Sequence, residues 1–581
     1  MLDRLRKLWN EIRLVGGTGL RRTPWIVLLT LVSAGLDLVG VALIAPFLGL
    51  IVGDDRLLRW LPDAFERLLG DDPLRSLGLI LVGLFAIKAV ATFVMHGAIT
   101  RMSEAIKADL MTRLLASYQR RSYRWYLGQN SSELVNRVVW YTSGFSNGFI
   151  GAGMRLASDG VVFLALGALI LVADWRAFLM LAGVLGLAFL GVHAYVRRRA
   201  ARLTRSQAGL HGEVIHSVNQ AMGGLREIRM IGCEDYFLAR MRRAAQGMVD
   251  THARLAVINL LPRHGIEFSV VVFLVALVFV TRASTESADT LVPLLGVIGA
   301  SAVRLMPAST ALLSNFNSLR MNRFVVSMLA EDLASESRDQ PTRGTEADPI
   351  DDPLGPFRSI RAERIRFAYD SSSRPVLDDF DFEIEAGEIV GLMGPSGSGK
   401  STLADLLLGL LVPQAGRILV NDRPLESVRR AWQSKVAYIP QTPYLLDDTL
   451  RRNVALGVPD AAIDDARVLA AIEDARLGPF LVGLAEGLET RLGERGVRMS
   501  GGQRQRVSIA RALYHDREFL VLDEATSALD VETEQEVIET IRSLAGRKTM
   551  LIIAHRESTL ACCTRRVRLG GPTRTVSEVP V

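Results

Sequence analysis

Apolar runs of membrane length recur through the first 330 residues and then stop. Residues 24–52 and 76–99 form the first two. A third and a fourth meet at the polar hairpin Ala173-Asp174-Trp175-Arg176; a fifth ends at 266–280, and a sixth covers 291–313. Each run is long enough, as a helix, to cross a hydrocarbon layer of about 30 Å. The pattern predicts six transmembrane helices within 24–333. The helical period continues far beyond the second and fourth runs, so long intracellular extensions are expected, with turns at 123–133 and 223–235. Residues 56–69, between the first two runs, put Leu57, Leu58, Leu61, Phe65, Leu68 and Leu69 on one helical face. That stretch is either a helix lying in the outer interface or a loop helix packed on its own protein. Residues 1–23 read as a basic amphipathic helix on the cytoplasmic face, since no cleavage site follows. The polar, Pro- and acid-rich stretch 334–357 reads as a linker, and 358–581 as a globular domain.

Charge sets the orientation. Arg4, Arg6, Lys7 and Arg13 precede the first run, Arg101, Lys107, Arg113 and Arg120 follow the second, and Arg197 to Arg199 follow the fourth. Both termini are therefore expected in the cytoplasm. The net charge of +6 fits contact with anionic lipid. No Lys/Arg stripe interleaves with aromatics, so nucleic acid is not an expected partner. The three cysteines, Cys233, Cys562 and Cys563, show no zinc spacing and fit a reducing compartment.

The globular part carries the chemistry. Residues 394–401 read GPSGSGKS, between the apolar stretch EIVGLM and the helical pattern TLADLLLGLL. This is a phosphate-binding loop in the context it requires. The backbone of Gly394, Pro395, Ser396, Gly397, Ser398 and Gly399 is expected to cradle phosphates, and the helix starting near Lys400, Ser401 and Thr402 to add partial positive charge. Lys400 would reach the β/γ-phosphates and Ser401 would ligate Mg²⁺. Downstream, FLVLDE ends in Asp523, suited to the Mg²⁺ shell, and Glu524, suited to polarising attacking water. A strand ending in a solvated turn is the bland alternative.

MSGGQRQR at 499–506 resembles the LSGGQ marker of the ATP-binding cassette (ABC) family, with Met499 in the leucine's place. The resemblance covers nearly the whole chain. It implies a membrane α-helical domain of six transmembrane helices with long intracellular extensions, fused to an α/β P-loop NTPase ABC domain. It also implies that Ser500, Gly501, Gly502 and Gln503 cap ATP on the P-loop of a second cassette, so the working unit is a homodimer. By the same resemblance Tyr369 stacks on adenine, Gln441 senses Mg²⁺ and the membrane domain, Asp530 links the two sites, and His555 contacts the γ-phosphate. LGERG at 492–496 resembles the stretch that touches the intracellular helices. After His555 the pattern departs, with Arg565 and Arg566 near an expected acid.

Cations inside the apolar runs bear on the cargo. Arg304 lies about 20 Å along the sixth helix, Lys88 at a similar depth on the second, and Arg263 somewhat deeper on the fifth. Two readings stand: the three meet an anion in a central cavity, or Asp37, Glu267 and similar acids pair with them. Residues 38–51, 261–268 and 302–320 resemble the PglK-type flippases of lipid-linked oligosaccharides, in which cavity cations meet the pyrophosphate. The expected activity is ATP-driven flipping of a polyprenyl-pyrophosphate glycan across the cytoplasmic membrane. Exporters of drugs, lipid A or peptides, and an ATP-gated channel or regulatory subunit, are the alternatives.

Overall fold

The computed structural model describes residues 2–17, 23–52, 72–173, 175–283, 288–339, 354–369, 374–493, 496–526, 529–570 and 577–579, with some helical side chains also outside the description, among them those of 192–209, 281–300 and 302–304. Two compact units result. One is Met1–Arg121 with Gly128–Gln340; the other is Ser122–Leu127 with Pro341–Val581.

The first unit is helical. Pro73–Arg120, Trp175–Gly223, Glu234–Ala283 and Ala288–Asp339 have 48, 49, 50 and 52 residues. At about 1.5 Å per residue each exceeds 70 Å, roughly twice a bilayer's hydrocarbon core. The extensions expected from the sequence are therefore present as continuous helix. Among the described residues, Pro24–Ile51, Pro73–Arg120, Ser131–Val172 and Glu234–Ala276 are long and apolar enough to cross a membrane, and Trp175–Leu187 is a shorter apolar helix. The fourth and sixth expected runs pass through side chains outside the description, and the outer stretch 56–69 lies outside it altogether.

The amphipathic N-terminal helix, Leu2–Gly16, is fastened at its C-terminal end. Its last carbonyls have no partner within the helix. The Arg113 guanidinium donates to the Leu14 carbonyl at 2.8 Å and the Val15 carbonyl at 3.1 Å. Gly17 follows at φ +53°, and a Cβ there would stand 2.7 Å from that guanidinium. Lower in the unit, buried Asp332 accepts from Tyr118 Oη at 2.8 Å and from Arg137 at 2.9 Å, tying three helical segments together.

The turns fall where expected. The helix Leu225–Ile231 ends in Gly232 at φ +70°, a left-handed cap that favours glycine. Tyr123–Leu127 belongs to the second unit: Tyr123 packs on that unit's core, and the Arg124 guanidinium lies 6.0 Å from the Phe367 ring centroid.

The second unit is α/β. A four-stranded antiparallel sheet has the order β2-β1-β4-β5, with β1 Ser359–Phe367, β2 Leu377–Glu385, β4 Ala415–Val420 and β5 Arg423–Pro424. A six-stranded sheet has the order β10-β9-β3-β8-β7-β6: β3 is Ile389–Met393, β6 Val436–Ile439, β7 Phe519–Asp523, β8 Thr549–Ile553, β9 Arg565–Arg568 and β10 Ser577–Val579. Its strands are parallel except for β10. Parallel strands covered on both faces read as unbroken apolar runs, as β3, β7 and β8 do. Phe357, Trp432 and Phe519 meet in the core with ring centroids 5.3–5.5 Å apart, and Trp432 Nε1 donates to the Leu407 carbonyl at 2.7 Å. The expected linker 334–357 is shorter at both ends: the last long helix runs to Asp339, and Leu354 and Phe357 are buried in this core. Their apolar side chains outweigh the polar composition around them.

Candidate functional site

β3 enters the loop 394–399 from the middle of the parallel sheet, and the helix Lys400–Leu407 leaves it. Gly394, Gly397 and Gly399 have φ of +148°, +77° and +101°. A Cβ on Gly394 would overlap the Leu569 carbonyl oxygen, so the loop closes only with glycine there. Lys400 is 6% exposed, and its Nζ donates to the carbonyls of Gly394 at 2.8 Å and Pro395 at 3.0 Å. Burial draws its pKa below the usual lysine range, against the opposing pull of Glu524 and Asp523. The Tyr369 hydroxyl lies 3.1 Å from Thr402 Oγ1, and its ring stands edge-on to Phe367 at 5.1 Å. The sequence-predicted loop, lysine and aromatic are thus brought together.

The acidic side faces them from β7. Glu524 has φ +49°, a left-handed conformation uncommon for a residue with a side chain. Its N–H donates to the Ile553 carbonyl at 2.9 Å, and its Oε1 lies 3.2 Å from His555 Nε2. Asp523 accepts from the Tyr438 hydroxyl at 3.1 Å. Burial, partly offset by that hydrogen bond, holds Asp523 above the ordinary carboxylate range. Asp405 joins this group, its pKa pushed up to about 6 by burial and then by the Asp523 charge. Neither Asp405 nor Tyr438 is a site residue in the sequence reading. For Asp405 a signal was available: it follows Ser401 by four residues, one helical turn along the same face.

The raised Asp405 pKa has a sign. The folded state favours the protonated carboxyl, so the contribution to stability is complete below 3.8, where a free aspartate titrates, and is lost as pH rises through about 6. Asp405→Asn is expected to flatten the slope of thermal stability against pH in the window from about 4 to 6. A slope unchanged from wild type in a pH series of unfolding scans would refute this.

The signature segment has its own internal logic. Ser500 caps the helix Gly501–Tyr514: its Oγ accepts from Gln503 N–H at 3.2 Å, and Gln503 Oε1 accepts from Ser500 N–H at 2.9 Å. This is a complete capping box. A Cβ on Gly502 would overlap Thr533 Cγ2, and one on Gly501 would stand 2.7 Å from Leu529 Cδ2. Both glycines allow this helix to press against the segment 529–533. Met499 is buried in the core, where methionine fills the space of the family's leucine. Asp530 caps the helix Val531–Ser543, accepting from Thr533 N–H at 3.2 Å. Gln441 has an exposed side chain; its carbonyl and that of Pro440 accept from the buried Gln505 amide at 2.9 Å and 3.0 Å. Gln505 thereby couples this loop to the signature helix, a role not visible from spacing. Two residues of LGERG, 494 and 495, lie outside the described residues. The departure after His555 has a structural answer. Arg565 donates to the Glu383 carbonyl and to Glu388 at 3.3 Å, and Arg566 donates to the Leu560 carbonyl at 3.2 Å.

The three membrane cations fare differently. Lys88 is 7% exposed and forms an ion pair with Asp37, itself 8% exposed, from the neighbouring helix. Of the two readings of Lys88, pairing is the arrangement found. The Arg263 side chain is 63% exposed and bonds to Glu267 at 2.9 Å, one turn on. Arg304 lies on the helix Ala288–Asp339, but its side chain is outside the described residues. Arg155 and Asp159, four residues apart on one helix, also hydrogen bond elsewhere: Arg155 donates to the Asn147 carbonyl at 3.3 Å and Asp159 accepts from Asn315 at 3.1 Å.

Residues 377–527 match the family described as ABC transporter, and residues 25–291 match the ABC transporter transmembrane region. An ATP-dependent lipid A-core flippase of Ralstonia nicotianae is 31% identical over 511 residues, covering 84% of this chain and 82% of its own length. The chain is an ABC transporter. The flippase of the same name from Cupriavidus pinatubonensis is 30% identical, with 84% of this chain and 82% of its own covered. Among solved structures, a bacterial Atm1-family ABC exporter with ATP bound superposes with a TM-score of 0.74 at 23% identity, over 96% of this chain and 94% of its own.

This ABC transporter therefore combines a transmembrane domain with a cassette that binds ATP and couples its hydrolysis to transport, in the exporter-type half-transporter arrangement. It is membrane-integral. In the cassette, a lysine and a glycine loop, the Asp523 carboxylate with the Tyr438 hydroxyl, and a Glu–His pair meet around the ends of β3, β7 and β8. An anion cradle, hard oxygen donors and a carboxylate beside an imidazole are groups that phosphoryl transfer to water can use.

Proposed function

We propose that this ABC transporter flips a phosphate-bearing glycolipid, in first place a polyprenyl-pyrophosphate oligosaccharide, across the cytoplasmic membrane. The observation that carries the reading is Arg263: though paired with Glu267 one turn on, its side chain still stands 63% exposed on a helix of membrane length. An exposed guanidinium there has a use if an anion comes to it, and its planar fork suits phosphate. Arg304 supplies the second cation. Lys88 reaches the head group only after parting from Asp37. A second reading, transport of a lipid A-type glycolipid, is favoured by the names of the curated relatives. Both cargoes present phosphate on a lipid, so the same cations would serve either.

The working unit is a homodimer with both termini and the cassettes in the cytoplasm. Each chain has one P-loop and one signature, and Ser500 to Gln503 of one copy cap the ATP held on the P-loop of the other. The turn Leu225–Ile231 supports this assembly: Met230 and Ile231 are 82% and 74% exposed, apolar side chains suited to a partner's surface. Gly394 to Thr402 and Tyr369 hold ATP. Ser401, Asp523 and Gln441 would hold Mg²⁺; a hydroxyl, a carboxylate and an amide oxygen are the hard donors that suit it. Bound there, Mg²⁺ supplies charge neutralisation for the phosphates. Glu524 takes a proton from the attacking water while His555, 3.2 Å away, steadies its carboxylate. Asp530 lies at the seam of the two sites. The segments 123–133 and 223–235 would transmit closure of the cassettes.

The test is ATPase turnover in lipid nanodiscs with each of the two glycolipids. The polyprenyl-pyrophosphate sugar is expected to stimulate wild type. Arg304→Ala is expected to need about 10- to 100-fold more of it, as loss of one charge-assisted hydrogen bond implies. Stimulation by lipid A-core alone would select the second reading. Equal stimulation of wild type and variant would remove the arginine from the head-group site.

A further inference from the structure

Cys562 and Cys563 take no part in the chemistry described above, yet they lie between two of its supports. Cys563 is 4% exposed, and its Sγ faces Gly391 in the middle of β3; a Cβ on that glycine would stand 2.8 Å from the sulfur. Gly391 precedes Gly394 of the phosphate loop by three residues. Thr564 stitches the same segment to β3, with its N–H donating to the Ile389 carbonyl at 2.8 Å and its Oγ1 accepting from Ile389 N–H at 3.0 Å. Cys562 is half-buried and lies on the other side, its Sγ 3.0 Å from the Thr559 carbonyl. Thr559 Oγ1 is 2.8 Å from Thr526 Oγ1, two residues after Glu524, and the helix Glu557–Leu560 begins two residues after His555. The two cysteines are adjacent in the chain. Arg542 and Arg566 add positive charge near Cys562. The neighbouring Cys563 thiol, more than these charges, holds the Cys562 thiol below its usual range, while the Cys562 thiol and burial push Cys563 up.

We infer that Cys562 and Cys563 form a dithiol modification site for thiophilic electrophiles that bridge two sulfurs, the class of trivalent arsenicals, and that its occupation arrests ATP hydrolysis. Soft thiolate donors suit such a ligand. The half-buried, less basic Cys562 attacks first, and the adjacent Cys563 closes the ring. With an organoarsenic(III) oxide, two S–H bonds and one As=O bond are exchanged for two As–S bonds and one water. Arsenic stays trivalent and no oxidant is needed. The bridging atom has no free volume on the Gly391 side. It displaces either β3, which sets the phosphate loop, or Thr559, which rests on Thr526 behind Glu524.

The probe is phenylarsine oxide, applied to the full-length protein in nanodiscs with ATPase activity and intact mass read together. One arsenical per chain is expected, on the peptide holding both cysteines. Turnover is expected to fall about 10- to 100-fold, the scale of a small displacement of catalytic groups. A dithiol such as 2,3-dimercaptopropanol should restore it, and a monothiol should not. Cys562→Ser and Cys563→Ala are expected to hydrolyse ATP without the arsenical and to resist it, while Cys233→Ser stays as sensitive as wild type. Should Cys563→Ala fail to fold, Cys562→Ser alone decides. Inhibition of Cys562→Ser to the wild-type extent overturns the inference, as does a stoichiometric adduct that leaves turnover unchanged.

Discussion

Glu524→Gln is expected to lower ATP turnover by about 10²- to 10⁴-fold while leaving nucleotide binding in place, the range for removing a positioned general base. The substitution changes little else. The backbone at 524 keeps its φ of +49° because its N–H is pinned to the Ile553 carbonyl. The amide fills the carboxylate's volume and can still meet His555 Nε2, now 3.2 Å from Oε1. What it lacks is a lone pair basic enough to accept water's proton. Phosphate release measured beside equilibrium binding of ATP separates the two effects. Turnover within tenfold of wild type would assign the proton to another group, and lost binding would mean that Glu524 shapes the loop through its field on Lys400.

Asp37→Ala is expected to cost about 3–5 kcal/mol of stability, because it leaves the Lys88 ammonium buried without its counter-charge. The pair sits between two membrane-length helices, where water offers no substitute partner. Removing both charges as Asp37→Leu with Lys88→Met should recover most of the loss, since a buried pair rarely outperforms apolar residues of similar volume. Thermal unfolding in nanodiscs reads both outcomes. If Lys88 also meets cargo, the double variant will be stable yet poorly stimulated by the phosphate-bearing lipid. A stable single variant would show that Lys88 has another partner or escapes to water.

Much of this was legible in the chain. Membrane-length helices announce themselves through apolar run length, and their extensions through a helical period that outlasts the run. The phosphate loop is equally open to reading, because its glycines, lysine and hydroxyl follow one another without interruption. Contacts made across the fold are not. That Asp405 would face Asp523, or that Gln505 would hold the carbonyls of Pro440 and Gln441, depends on strand order. Local polarity misled at 354–357, where two apolar side chains outweigh their neighbours. For Lys88 the sequence offered Asp37 as one of two destinies, and only packing chose between them.

The close approach of Gly502 to Thr533 bears on how such cassettes age. A descendant that had stopped hydrolysing ATP would feel no chemical pressure on its signature. It would still have to seat one helix against another, and any side chain at 502 would force them apart. Gly502 would outlive the activity, while Ser500, which contributes only a cap worth about 1 kcal/mol, would drift. In a lineage of these proteins the serine, and not the glycine, would be the tell-tale of a working motor.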